Sequence, residues 1–125
     1  MQLKGRHYLI IGLVLLTAVL HFGAALDSRL FPDGPDPLFI LNGLGYLGLL
    51  GAYFLPIGWF QRHHKLVWTG LFAYTIATLV AWAVIYLGFY VIRDGQPFFS
   101  LDAIYGIPAK VAELILLYVL RRDRV

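Results

Sequence analysis

The sequence predicts an all-α protein, a four-helix antiparallel transmembrane bundle with the N-terminus and C-terminus both cytoplasmic. Three observations carry this expectation. The 125-residue chain is 60% hydrophobic and 14% charged, whereas a soluble domain is nearer a quarter charged. Four apolar runs, at about residues 8–26, 37–57, 66–90 and 102–120, are each long enough to cross a hydrocarbon core about 30 Å thick at about 1.5 Å per residue. The connections between them are short and polar. The length suits one integral membrane domain spanning residues 1–125.

The first run, Tyr8–Leu26, follows a basic head containing Lys4 and Arg6. That head and the small residues Gly23-Ala24-Ala25 resemble a signal peptide, but a run of about 19 residues favours a true span. Asp27–Asp36 (DSRLFPDGPD) is rich in turn residues, with Leu30-Phe31 expected at the interface. The second run holds Gly43, Gly45, Gly48 and Gly51, with Ala52 paired to Gly48 as small-xxx-small. Such residues let neighbouring backbones approach in lipid, and Pro56 helps to end the helix. After the basic turn GWFQRHHK, the third run carries a second expected packing stripe, Ala73, Ala77 and Ala81. Its hydroxyls Thr69, Thr75 and Thr78 can bond their own helix's carbonyls. The run is long, so tilt or projection beyond the lipid is expected. In the fourth run Ser100 or Asp102 can cap the helix, and Pro108 can bend it just before Lys110.

Orientation follows from the basic residues. Lys4, Arg6, Arg62, Lys65, Arg121, Arg122 and Arg124 fall on one side of the bundle, and only Arg29 and Arg93 on the other. This is a positive-inside pattern for a cell (cytoplasmic) membrane protein. It accounts for the net charge of +3 without a nucleic-acid partner; the partner expected is the lipid bilayer, with a homo-oligomer or a larger membrane complex beyond it.

Polar residues from all four runs reach similar depths in the outer half. His21 and Asn42 lie about 8 Å in, Lys110 about 10 Å, and Glu113 near the midplane, with Tyr86 in the outer half of the third run. Lys110 and Glu113, three residues apart, share a helix face. Charges here are costly and are functional candidates. One reading is a structural core in which His21 bonds Asn42 and Lys110 pairs with Glu113. A second is an outward-opening polar pocket or proton path. In a third, Lys110 and Glu113 face a partner subunit.

Three function classes follow. The first is a non-enzymatic assembly or accessory membrane protein. The second is a small, oligomeric proton-linked or solute transporter using Lys110 and Glu113. The third is a haem-binding redox protein. For haem, His7 and His21 stand about 21 Å apart on one helix, and His63 or His64 lies where it would face His7, but no second His matches the depth of His21. No cofactor and no metal site is expected: the outer half offers one His, one Glu and no Cys. The absence of Cys removes disulfides and thiolate chemistry. GLGYLG follows no strand and lies inside a hydrophobic run, so it is no nucleotide loop, and no nucleophile elbow appears. No catalytic residue is assigned.

Several segments together, LHFGAAL with His21, FILNGLGYLGLL, YTIATLVAWAVI and IPAKVAELILLYVLRR, resemble an uncharacterised family of small four-span membrane proteins of haloarchaea and some bacteria. The matching positions are His21, Asn42-Gly43-Leu44-Gly45-Tyr46, Trp82, and Lys110 with Glu113. The resemblance implies the four-helix fold and no activity.

Overall fold

The computed structural model describes residues 4–29, 32–95 and 101–123, with side chains at all of these except positions 90 and 101–103. Leu30-Phe31, Ser100 and the Asp102 side chain therefore lie outside the described residues. The described chain is helical and contains no strand.

Helix α1 (Gly5–Leu26) begins three residues ahead of the expected span. The Lys4 backbone N–H donates to His7 Nδ1 at 2.9 Å and closes the first turn with a side chain from inside it. Helix α2 (Pro37–Phe54) starts where predicted, with Pro37 in the first turn and the Asp36 carboxylate accepting from Phe39 N–H at 3.3 Å. It stops at Phe54 rather than Ile57, because Pro56 disfavours helical geometry at Leu55, which is extended at φ −67°, ψ 143°. The basic turn contains a five-residue helix, α3 (Gly58–Arg62). Helix α4 (His64–Trp82) then runs without a break into a π-helical segment, Ala83–Arg93. Helix α5 (Leu101–Arg122) carries Pro108 in its interior, where proline cannot donate to the carbonyl one turn back.

Helix α1, helix α2 and the continuous 30-residue helix His64–Arg93 are long and apolar enough to cross a membrane. Large apolar side chains stand exposed along them, among them Leu9, Val19, Leu41, Leu44 and Val80. Contiguous surfaces of this kind are rare on monomers in water.

Helix α1 lies against α2 and α5, and α4 lies against the same two helices. Between them Ile10, Val14, Leu71, Leu116 and Leu120 are completely buried. The start of α1 and the ends of α2 and α5 meet at one end, here the lower end, through Arg6, His7, Tyr53 and Asp123. At the opposite, upper end, Asp36 N–H donates to Ala25 O and Tyr105 Oη donates to Asp27 Oδ2. Among the described residues, the π segment makes no close backbone approach to any helix except α4. The upper half is therefore looser than the lower.

The small residues divide in two. A Cβ added at Gly43 would come within 2.8 Å of the Phe22 ring, and one at Gly45 within 2.7 Å of Tyr74 Cζ. These two glycines let aromatic rings from α1 and α4 rest on the α2 backbone. Gly48 meets nothing within 4 Å, and Gly51 meets only Leu55 of its own chain segment. Ala52 packs against the core. The expected packing stripe Ala73, Ala77 and Ala81 is exposed, with Ala81 bordering the cavity described below. The buried face of α4 is Val67, Leu71, Thr75 and Thr78 instead. Gly43→Ala should lower the unfolding free energy by about 1 kcal/mol or more through overpacking. Gly48→Ala should leave it unchanged or raise it by up to about 1 kcal/mol through helix propensity. Unfolding in mixed micelles reads both.

Candidate functional site

The centre of the upper half is the Lys110–Glu113 pair on α5. Lys110 Nζ lies 2.6 Å from Glu113 Oε1, and Glu113 is fully buried. A buried ion pair is tolerable only when its remaining lone pairs are also satisfied. Tyr46 Oη of α2 does this, donating to Glu113 Oε2 at 2.7 Å.

His21 and Asn42 flank the pair from α1 and α2. The expected His21–Asn42 bond is not made, because each finds a nearer partner. His21 Nδ1 lies 2.7 Å from Thr17 O. A carbonyl can only accept, so Nδ1 carries a proton, and in the neutral form of the ring Nε2 is then the acceptor. Asn42 Nδ2 donates to Thr78 Oγ1 at 3.4 Å, and the Asn42 backbone carbonyl accepts from Tyr74 Oη at 2.8 Å. Thr78 spends its own proton on Tyr74 O at 2.8 Å. Its oxygen is therefore an acceptor, which fixes the orientation of the Asn42 amide. Asn42 Oδ1 is left buried without a hydrogen-bond partner among the described residues.

These groups border a cavity of about 520 Å³. Four of the five expected polar residues, His21, Asn42, Tyr86 and Lys110, line it, and Glu113 stands one turn deeper on α5. Leu20, Phe39, Trp82, Ile85 and Ala109 supply apolar wall, with Asp36 and Tyr105 toward the upper end. The π segment creates part of this wall. Trp82, at the end of α4, and Tyr86, four residues on, stack with centroids 5.3 Å apart and planes at 13°, as side chains at that spacing can on one helix face. π-helical winding is rare, and its usual single-turn form is frequent at functional sites.

Toward the lower end the cavity gives way to the dry layer of Ile10, Val14, Leu71, Leu116 and Leu120. Near the upper end Asp27 is held by Arg29 through contacts of 3.1 and 2.8 Å and by Tyr105 Oη at 2.6 Å. These hydrogen bonds, Arg29's first, hold the Asp27 carboxyl well below the usual carboxylate range.

The lower end contains a polar cluster not anticipated from the sequence. Asp123, 4% exposed, accepts from Arg6 Nε at 2.5 Å, lies 3.0 Å from His7 Nε2 and accepts from Tyr53 Oη. A signal for it was present. Asp123 continues the buried stripe Leu116, Val119, Leu120 at helical spacing, and an acid on that stripe must find partners. The other histidines are accounted for locally. His63 stacks on Trp59 with centroids 4.3 Å apart, and His64 meets the edge of Tyr53 at 4.5 Å. Both ring nitrogens of His7 are already engaged, by Asp123 and by the Lys4 backbone N–H. Among the described residues no three His, Asp or Glu side chains are grouped to hold a metal ion. Comparison with protein-family models, with curated proteins and with solved structures gives no match.

Proposed function

We propose that the chain is a multi-pass, non-enzymatic accessory protein of the cell membrane that holds a small ligand in a pocket open to the outer side. In this reading the helices form a four-helix antiparallel transmembrane bundle with both termini cytoplasmic. The distribution of Lys and Arg supports that orientation, since the lower end gathers Arg6, Arg62, Lys65, Arg121 and Arg122. The resemblance to small four-span membrane proteins supports the same arrangement.

The observation that carries the pocket is the cavity of about 520 Å³, which groups from α1, α2, the π segment and α5 line together. Pockets of about 300–1,000 Å³ with apolar walls and a few convergent polar groups are the usual form of a small-molecule site. The fully buried layer beneath it favours binding over transport, because a carrier would have to part Ile10, Val14, Leu71, Leu116 and Leu120 in each cycle. A haem role draws no support from His7, whose ring is already committed at both nitrogens.

Native mass spectrometry of the protein released from nanodiscs tests this reading, with Ala109→Trp as the variant that fills the cavity. The expected result is a small molecule retained by the wild type, or taken up from a total lipid extract, and lost in a folded Ala109→Trp protein. A wild type that neither carries nor takes up any small molecule would overturn it.

A further inference from the structure

We infer that the ligand is an uncharged, mostly apolar molecule whose polar end is a hydroxyl group. This rests on the pocket reading above and adds a chemical class to it.

Charge is the first argument. Lys110 is the cationic residue in the cavity wall, and Glu113 already neutralises it at 2.6 Å. A carboxylate ligand would have to compete with Glu113 for that ammonium, and would pass Asp36 on the way in. An ammonium ligand would instead meet the Lys110 ammonium at the base. Bringing an unpaired charge of either sign into a low-dielectric site is costly, so a neutral ligand fits best.

Hydrogen-bonding capacity is the second argument, and it is independent of the first. Asn42 lines the cavity, its Oδ1 is buried with no donor among the described residues, and turning the amide would cost its bond to Thr78. His21 has committed Nδ1 to Thr17, so Nε2 is the ring atom that remains to accept from a ligand. Lys110 has three N–H donors, of which one serves Glu113. His21, Asn42 and Lys110 all line the cavity, so its wall combines two acceptor residues with a charged donor. An ether or ketone would use the donor and leave Asn42 Oδ1 unsatisfied. A hydroxyl donates to Asn42 or His21 and accepts from Lys110 through one atom. The rest of the ligand would lie against Leu20, Phe39, Trp82 and Ile85.

The test uses four probes on one skeleton: farnesol, farnesoic acid, farnesylamine and the hydrocarbon farnesene. Tritiated farnesol is bound to the full chain in phosphatidylcholine nanodiscs, competed by the other three, and corrected with empty nanodiscs. The expected result is that farnesol binds about tenfold more tightly than each of the others, the worth of one well-made hydrogen bond. Asn42→Leu should remove about that factor for farnesol and leave farnesene unchanged, and Ala109→Trp should abolish binding of all four. If farnesene equals farnesol, or if the acid or the amine binds best, the hydroxyl assignment is overturned while the pocket stands. If none of the four binds to wild type above empty nanodiscs, the hydroxyl assignment fails, and a wild type that also takes up nothing from lipid extract takes the pocket with it.

Discussion

Glu113→Ala is expected to lower the stability of the folded protein by about 3–5 kcal/mol, the range found when one partner of a buried ion pair is removed. Glu113 is fully buried and accepts from both Lys110 Nζ and Tyr46 Oη. Its loss leaves an ammonium and a hydroxyl without an acceptor in the centre of the helices. Lys110→Met alone should also destabilise, by leaving an uncompensated carboxylate. The double substitution Lys110→Met with Glu113→Gln removes both charges and keeps an acceptor for Tyr46. It should recover most of the loss, because a neutral replacement of similar volume avoids the desolvation penalty. Unfolding in mixed micelles measures all three. Additive single effects, with no recovery in the double, would show that the two charges do not depend on each other.

Asp123→Ala should cost about 3 kcal/mol, because it strips acceptors from His7 and Tyr53, both buried, at the junction of α1, α2 and α5. Arg6→Ala should cost under about 1 kcal/mol despite its 2.5 Å contact, since Arg6 is 38% exposed and solvent screens the pair. Burial alone would raise the Asp123 pKa, but the hydrogen bonds from Arg6 and Tyr53 and the neighbouring His7 outweigh it and hold the carboxyl below its ordinary value. A depressed folded pKa gives stability that is complete above the unfolded value of about 3.9 and is lost as pH falls through the folded value. The stability difference between wild type and Asp123→Asn should therefore narrow as pH falls below about pH 4. A gap that stays undiminished down to about pH 2 would contradict this assignment.

The all-helical class and the approximate extent of the long helices were legible because apolar run length fixes helix length through the rise per residue; the short helix Gly58–Arg62 was not expected. Lateral position was not legible. Helix α4 is apolar on nearly every face, so its sequence carries little phase information. The regular Ala73, Ala77, Ala81 spacing looked like a contact, yet all three stand exposed and Ala81 borders the cavity, while Leu71, Thr75 and Thr78 turn inward. The change to π winding after Trp82 has no signal in the sequence, although the Trp82–Tyr86 stack joins residues at a spacing that an ordinary helix also brings together. The glycines of α2 were equivalent by composition, but only Gly43 and Gly45 lie under aromatic rings. Asp123 was hidden among arginines at the chain's end, although its spacing to Leu116 and Leu120 marked it as inward-facing.

The most direct measurement is thiol accessibility, for which the absence of native cysteine makes the chain suited. Ala109→Cys places a thiol in the cavity wall beside Lys110, and Val14→Cys places one in the dry layer below. A charged, membrane-impermeant methanethiosulfonate is applied to sealed vesicles of each orientation. The predicted result is modification of Ala109→Cys from the outer side only, slowed by bound farnesol, with Val14→Cys unreactive from both sides. Modification of Ala109→Cys from the cytoplasmic side alone, or from neither, would contradict an outward-opening pocket.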